Sequence, residues 1–168
     1  MKTIIIYKSA TGFTEKYANW IAEELNAETV SWKNRRKVKF ADYDKIIYGS
    51  RFFAEQIDGL KWFKKQTACL TDKKTAVFVT GASPVQSEET KIALNKNISP
   101  EEQKNMPVFY MPGGLCYERM NRIEKSMMSF FCKMLEKTEG NSEKVALLKK
   151  SYDMSSKENI TPLIEAMR

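Results

Sequence analysis

The feature that most limits how this chain can fold is its opening, where an apolar run, Thr3-Ile4-Ile5-Ile6-Tyr7, meets a polar turn, Lys8-Ser9-Ala10-Thr11-Gly12, and then a helical pattern from Phe13. The apolar run is too short for a buried helix and is rich in β-branched side chains, so it predicts a central parallel strand covered on both faces. Phe13, Tyr17, Trp20, Ile21 and Leu25 recur at helical spacing, with Glu15, Lys16, Asn19, Glu23 and Glu24 between them, which predicts a helix lying on that sheet. In the turn, Gly12 relaxes the backbone where strand becomes helix. Ser9, Thr11 and Thr14 place hydroxyls beside the unpaired N–H groups of the first helical turn. Two readings are open for this turn: a plain helix cap, or a pocket for an anion.

The alternation continues along the chain. Glu28 to Trp32, Ile46 to Ser50, Thr75 to Thr80 and Val108 to Met111 read as further strands. Helices are expected from about Asp58 to Leu70, from Ser87-Glu88-Glu89, and from the capping box Ser99-Pro100-Glu101-Glu102. This pattern predicts an α/β fold: a three-layer αβα sandwich on a five-stranded parallel sheet in the order 2-1-3-4-5, with right-handed crossovers, in a single domain over residues 1–168. Such sheets bind ligands beyond the carboxyl ends of their strands. Three loops fall there: Ser9 to Thr14; Gly49 to Glu55, with Ser50, Arg51, Phe52, Phe53 and Ala54; and Thr80, Gly81, Ala82, Ser83 and Pro84. Phe52 and Phe53 read either as stacking residues for a flat ligand or as plugs against the next helix, and Arg51 as a contact for an anionic group. Cys69 reads as a small buried hydrophobe.

Composition removes several chemistries. The chain has no histidine, which excludes Ser-His and Cys-His triads and imidazole ligation of metal. Cys69, Cys116 and Cys132 are odd in number and lack a C-x-x-C, which favours a reducing compartment over disulfides or zinc. Neither G-x-x-x-x-G-K-[ST] nor G-x-G-x-x-G occurs, so nucleoside triphosphates and dinucleotides lose support. With no leader pattern and no apolar run of membrane-spanning length, a cytoplasmic location is expected. Lys and Arg number 28 against 21 Asp and Glu, a net charge of +7 that steers anionic partners toward the protein. Lys33 to Lys39 holds five cations in seven residues and reads as a solvated loop or as a docking patch for an acidic partner or lipid headgroups. Nothing aromatic interleaves it, so nucleic acid is the weakest option.

After Pro112 comes a helical insertion, Gly113 to Ser151, before the last helix. Met120, Ile123, Met127, Phe130, Phe131 and Met134 form a stripe that Met128 and Leu135 widen, flanked by Arg119, Arg122, Lys125, Lys133 and Lys137. The stripe reads either as the face of a thick core helix or as an adaptable surface for a partner, a lipophilic molecule or a membrane. A closing helix, capped at Ser155-Ser156, is expected to turn Ile160, Leu163, Ile164 and Met167 inward.

Ser9-x-Thr11-Gly12-x-Thr14 directly after the first strand resembles the phosphate loop of flavodoxins, with Phe13 standing where many of them carry Asn. The resemblance implies FMN, its phosphate on Ser9, Ala10, Thr11, Gly12, Phe13 and Thr14. It sets the flavin ring between Ser50, Arg51, Phe52, Phe53 and Ala54 on one side and Thr80, Gly81, Ala82 and Ser83 on the other. Electron transfer through the flavin is the implied activity, with a redox partner protein or a small-molecule donor or acceptor. The insertion, the entry Asp42-Tyr43-Asp44-Lys45 to Gly49, and Tyr152-Asp153 are similar to the menaquinone-dependent protoporphyrinogen oxidases within that family. That narrower likeness implies a flavin-dependent dehydrogenase with a quinone acceptor; the net charge of +7, the cationic run Lys33 to Lys39 and the apolar helix Met120 to Leu135 together lead us to expect peripheral contact with the anionic inner face of a membrane. A flavodoxin-shaped interaction module without cofactor is the remaining alternative.

Overall fold

The computed structural model describes residues 1–83 and 87–168. Its first half comprises β1 (Thr3–Tyr7), α1 (Phe13–Leu25), β2 (Glu28–Ser31), β3 (Lys45–Phe53), β4 (Gln56–Ile57), α2 (Leu60–Thr67) and β5 (Lys74–Gly81). There follow α3 (Glu88–Asn97), α4 (Pro100–Gln103), β6 (Val108–Pro112), β7 (Gly114–Leu115), α5 (Arg122–Glu139), α6 (Glu143–Leu148), β8 (Tyr152–Asp153) and α7 (Thr161–Met167). Five strands run parallel in the order β2-β1-β3-β5-β6, which is the expected 2-1-3-4-5 order.

The β-branched run of β1 sits centrally because both of its faces are covered. Ile5 packs with Tyr17, Ala18 and Ile21 of α1 and with Leu163, Ile164 and Met167 of α7. Ile4 and Ile6 pack with Leu60 and Phe63 of α2 and with Ile98. The closing helix therefore turns its apolar residues inward, as its spacing predicts. Tyr17 ties that layer to the sheet edge: its hydroxyl donates to Pro112 O at 2.6 Å and accepts from the Ser156 N–H and from Asn159 Nδ2.

Two expectations are corrected, and one open alternative is decided. The segment after the third strand is not an open loop: β3 continues through Arg51, Phe52 and Phe53 and folds back antiparallel onto β4. The turn between them puts Ala54 and Glu55 at φ of 48° and 63°, the mirror-image hairpin geometry that Asn-Gly would ordinarily announce. Cys69 is exposed rather than buried, because α2 ends at Thr67 and leaves it in the following turn. The apolar stripe of α5 does not enter the core. Ile123 and Phe130 are each 72% exposed, Met127, Phe131 and Met134 are also exposed, and Cys132 is the helix's buried residue.

The cationic run is more structured than a loop, since Trp32–Lys37 forms a 3-10 turn and Arg35 stacks 3.8 Å over the Trp32 ring while donating to Trp32 O. The insertion is closed at its base by an antiparallel ribbon, Gly114 opposite Asp153 and Leu115 opposite Tyr152. Gly114 is required there: at φ 153° a Cβ would stand 2.0 Å from Tyr152 O.

Candidate functional site

The site begins where β1 hands over to α1. Lys8 N–H continues the sheet ladder to Gly49 O, and Ser9 Oγ then accepts from Gly12 N–H at 3.1 Å, closing the turn on itself. Gly12 adopts φ 100° at the helix N-cap, and no side chain caps the first turn. The N–H groups of Phe13, Thr14 and Glu15, which by helix geometry have no carbonyl one turn back, thus face outward with the positive end of the helix dipole.

Over this loop lies a guanidinium. A Cβ on Gly12 would come within 2.3 Å of Arg119 Nη1, so a side chain here would push the guanidinium aside. Among the described residues Arg119 forms no ion pair. It joins Thr11, Gly12, Phe13, Lys16 and Asp153 around a cleft of about 500 Å³. Lys16 is engaged, its Nζ 2.8 Å from Asp153 Oδ2.

A second cleft, of about 260 Å³, shares Thr11, Phe13 and Leu115 with the first and is apolar. The hairpin residues Arg51, Phe52, Phe53 and Ala54 form one wall, Thr80, Gly81 and Ala82 another, and Gly113 and Gly114 the floor toward β6. Met120, Met127 and Met128 close it from the insertion. Arg51 is ion-paired with Glu124 of α5 and lies 5.2 Å from the Phe53 ring centroid, so it clasps the hairpin to the insertion instead of presenting a free cation.

The loop after β5 is pinned from two sides. Tyr110 Oη accepts from Ser83 N–H and donates to Ser83 O at 2.6 Å, and Tyr152 Oη donates to Ala82 O at 3.0 Å. Burial pushes the Tyr110 hydroxyl well above its ordinary pKa, so it stays a donor throughout the physiological range.

The expected site residues therefore divide. Thr11, Gly12, Phe13, Arg51, Phe52, Phe53, Ala54, Thr80, Gly81 and Ala82 line the two clefts. Ser9 and Ala10 line neither, although they build the turn. Thr14 is buried and its hydroxyl shares a 2.8 Å hydrogen bond with Thr80 Oγ1, fastening α1 to β5, so it is not available at the loop. Ser50 is fully buried inside β3, and its hydroxyl has no partner among the described residues. Ser83 lines a smaller neighbouring cavity with Phe52 and Tyr110, and Pro84 lies outside the described residues. Sequence reasoning missed Arg119 and Glu124 as site residues, and with them the Gly113-Gly114-Leu115 segment. The available signal was Gly113-Gly114 at the carboxyl end of the fifth strand, a fourth small-residue loop like the other three.

Fold and clefts together define a class: an open, doubly wound α/β protein whose site joins a helix amino terminus to an apolar slot at the strand carboxyl ends. Residues 4–143 match the Flavodoxin domain family, and the chain belongs to that family. Membership supports a flavin-binding redox role. A search of curated proteins gave no match. Among solved structures it is similar to the Trp repressor binding protein of Bacillus subtilis at 12% identity, covering 68% of this chain and 85% of that one with a TM-score of 0.51. Flavodoxin 1 of Bacillus cereus aligns at 22% identity over 77% of this chain and 94% of that one, TM-score 0.46. A flavoprotein in complex with FMN from Lactobacillus acidophilus aligns at 18% identity over 66% and 91%, TM-score 0.46. No helix among the described residues is long and apolar enough to cross a membrane.

Proposed function

We propose that the joined clefts bind FMN and that the protein transfers electrons through it. The observation that carries this reading is the change of chemistry along one continuous site. At the α1 end the groups free to meet a ligand are donors, backbone N–H, the Thr11 hydroxyl and the Arg119 guanidinium, while the Asp153 carboxylate that also lines this cleft is taken up by Lys16; the set suits a ligand that only accepts hydrogen bonds, such as a phosphate monoester. At the other end are Phe52, Phe53, glycines and methionines, suited to a flat ring. A bound flavin supplies the redox chemistry. The chain's own residues orient and shield it: Thr11, Gly12, Phe13 and the Thr14 N–H hold the phosphate with Arg119. The hairpin and the Tyr110-pinned loop flank the ring, and Met127 and Met128 exclude water.

A second reading, a flavin-dependent dehydrogenase passing electrons to a quinone, is favoured by the methionine wall. Met120, Met127 and Met128 give one side of the slot a pliable, lipophilic surface. Reduction of a menaquinone analogue by the flavin-loaded protein tests it.

The FMN reading is tested by titrating the protein with FMN and with riboflavin, which lacks the phosphate. FMN is expected to bind more tightly. Arg119→Ala is expected to weaken FMN by roughly 10–100-fold, the value of one charge-assisted contact, and to leave riboflavin unchanged. Thr11→Glu should abolish the preference in a folded protein. Equal affinity for the two flavins in the unaltered protein overturns the phosphate assignment.

A further inference from the structure

The acids and cations of α5 differ in what they meet. Its acids are all paired toward neighbouring segments: Glu124 with Arg51, Glu136 with Lys149, and Glu139 with Lys144. Its cations, Arg122, Lys125, Lys133 and Lys137, enter no ion pair among the described residues. At 3.6 residues per turn, Arg122, Lys133 and Lys137 fall within an arc of about 60°, directly beside an arc of about 100° holding Ile123, Met127, Phe130, Phe131 and Met134. All five of these apolar side chains are exposed. The helix therefore presents a row of free cations along the edge of an apolar band that the rest of the molecule leaves uncovered.

We propose that α5 is an interfacial helix that seats the protein on an anionic lipid surface. In that seating Ile123 and Phe130 enter the acyl boundary and Arg122, Lys133 and Lys137 lie on headgroup phosphates. Charge complementarity selects this occupant. The protein carries a net charge of +7, which opposes pairing of this face with a second copy of itself. The band from Ile123 to Met134 consists of hydrocarbon, aromatic and thioether groups, which make no directional demand, as suits acyl chains better than a folded protein partner. Met127 belongs both to this band and to the wall of the apolar cleft, so the seating brings the cleft mouth to the lipid surface. The inference is independent of the flavin reading, because the assay needs no flavin.

The test is co-sedimentation of the full chain with vesicles of equal parts phosphatidylcholine and phosphatidylglycerol, against phosphatidylcholine alone. Binding to the anionic vesicles is expected at an ionic strength of about 0.01 M, weakened at about 0.15 M as the screening length shortens. Replacing Arg122, Lys133 and Lys137 together by Gln is expected to lower partitioning roughly 100-fold. Ile123→Ser with Phe130→Ser, which leaves the charge unaltered, should also lower it. Both variants change exposed side chains, and unchanged circular dichroism and melting confirm that the fold persists. The proposal is overturned if the protein ignores anionic vesicles at low ionic strength, or if the serine pair binds as tightly as the parent. A dimer in sedimentation velocity that the serine pair dissolves overturns it as well, by assigning the face to self-association.

Discussion

The helices α1 and α5 carry the same kind of apolar periodicity and use it in opposite ways. In α1 the stripe is consumed: Tyr17, Ala18 and Ile21 are fully buried against β1 and α7. In α5 the longer and more apolar stripe faces out, and the side that meets the protein carries Glu124, Met128 and Cys132. The difference comes from what brackets each helix. α1 lies between two adjacent parallel strands, and its short connections oblige it to cross back over the sheet with its apolar face down. α5 hangs from the ribbon of β7 and β8, which fixes the root of the insertion but does not choose which face of the helix turns inward. Periodicity announces that a helix has an apolar partner. Topology decides whether that partner belongs to the same chain.

The sharpest test of this contrast is truncation on the two stripes. Ile21→Ala is expected to cost about 2–5 kcal/mol, because it opens a cavity in a layer closed by α7. Phe130→Ala removes more atoms, yet it should shift stability by no more than about 0.5 kcal/mol, since the ring is already in water. Urea unfolding of both variants reads the difference directly. A cost for Phe130→Ala equal to that of Ile21→Ala would mean that α5 packs its stripe inward in solution.

The loop between β1 and α1 joins the two regions, because Arg119 of the insertion rests on Gly12. Gly12→Ala places a side chain at φ 100° and against Arg119 Nη1, so a loss of about 1–3 kcal/mol is expected together with weaker FMN binding. If Arg119→Ala restores part of the stability lost in Gly12→Ala, the clash is the cause. If it does not, backbone strain alone accounts for the loss.

The parallel sheet was legible because its central strands are β-branched or aromatic runs, and right-handed crossovers leave only a few strand orders, among them the 2-1-3-4-5 order observed. The β3–β4 hairpin was not, since Ala54-Glu55 lacks the Asn or Gly that such a turn normally uses. Nor was Arg119. It is distant in sequence from Gly12, and only the β7–β8 ribbon returns the insertion to the loop. Thr14 and Ser50 were assigned to the site by type and place, but hydroxyl groups at strand and helix ends also serve the fold. Thr14 does so through its bond to Thr80.

The hairpin offers a gain in stability. Ala54→Asn with Glu55→Gly supplies residues that accept positive φ and should add about 0.5–2 kcal/mol, read as a higher urea midpoint. The gain is offset slightly by loss of the exposed Lys96–Glu55 pair at 3.1 Å. No gain would indicate that the turn is relaxed by its surroundings, for instance by Asn97 Nδ2 donating to Glu55 O.

The smallest expected effect lies where α1 meets the root of the insertion. Burial works to raise the Asp153 pKa, but the Lys16 ammonium and the Ser155 hydroxyl and N–H outweigh it and hold the carboxyl below its ordinary value of 3.8. A carboxyl depressed in the folded state contributes stability that is present above its unfolded pKa and is lost as pH falls through the folded one. Here that window opens below about pH 4. Both side chains are partly solvated, at 40% and 49% exposure, so the contribution is limited to about 0.2–1 kcal/mol. Asp153→Asn keeps an acceptor for Ser155 and removes only the charge. Its cost should be measurable at neutral pH, shrink as pH falls below about 4, and be reduced in a Lys16→Met background. A cost that is the same in both pH ranges would assign the role of Asp153 to the turn at Ser155 and remove the ion pair from the tie between α1 and the insertion.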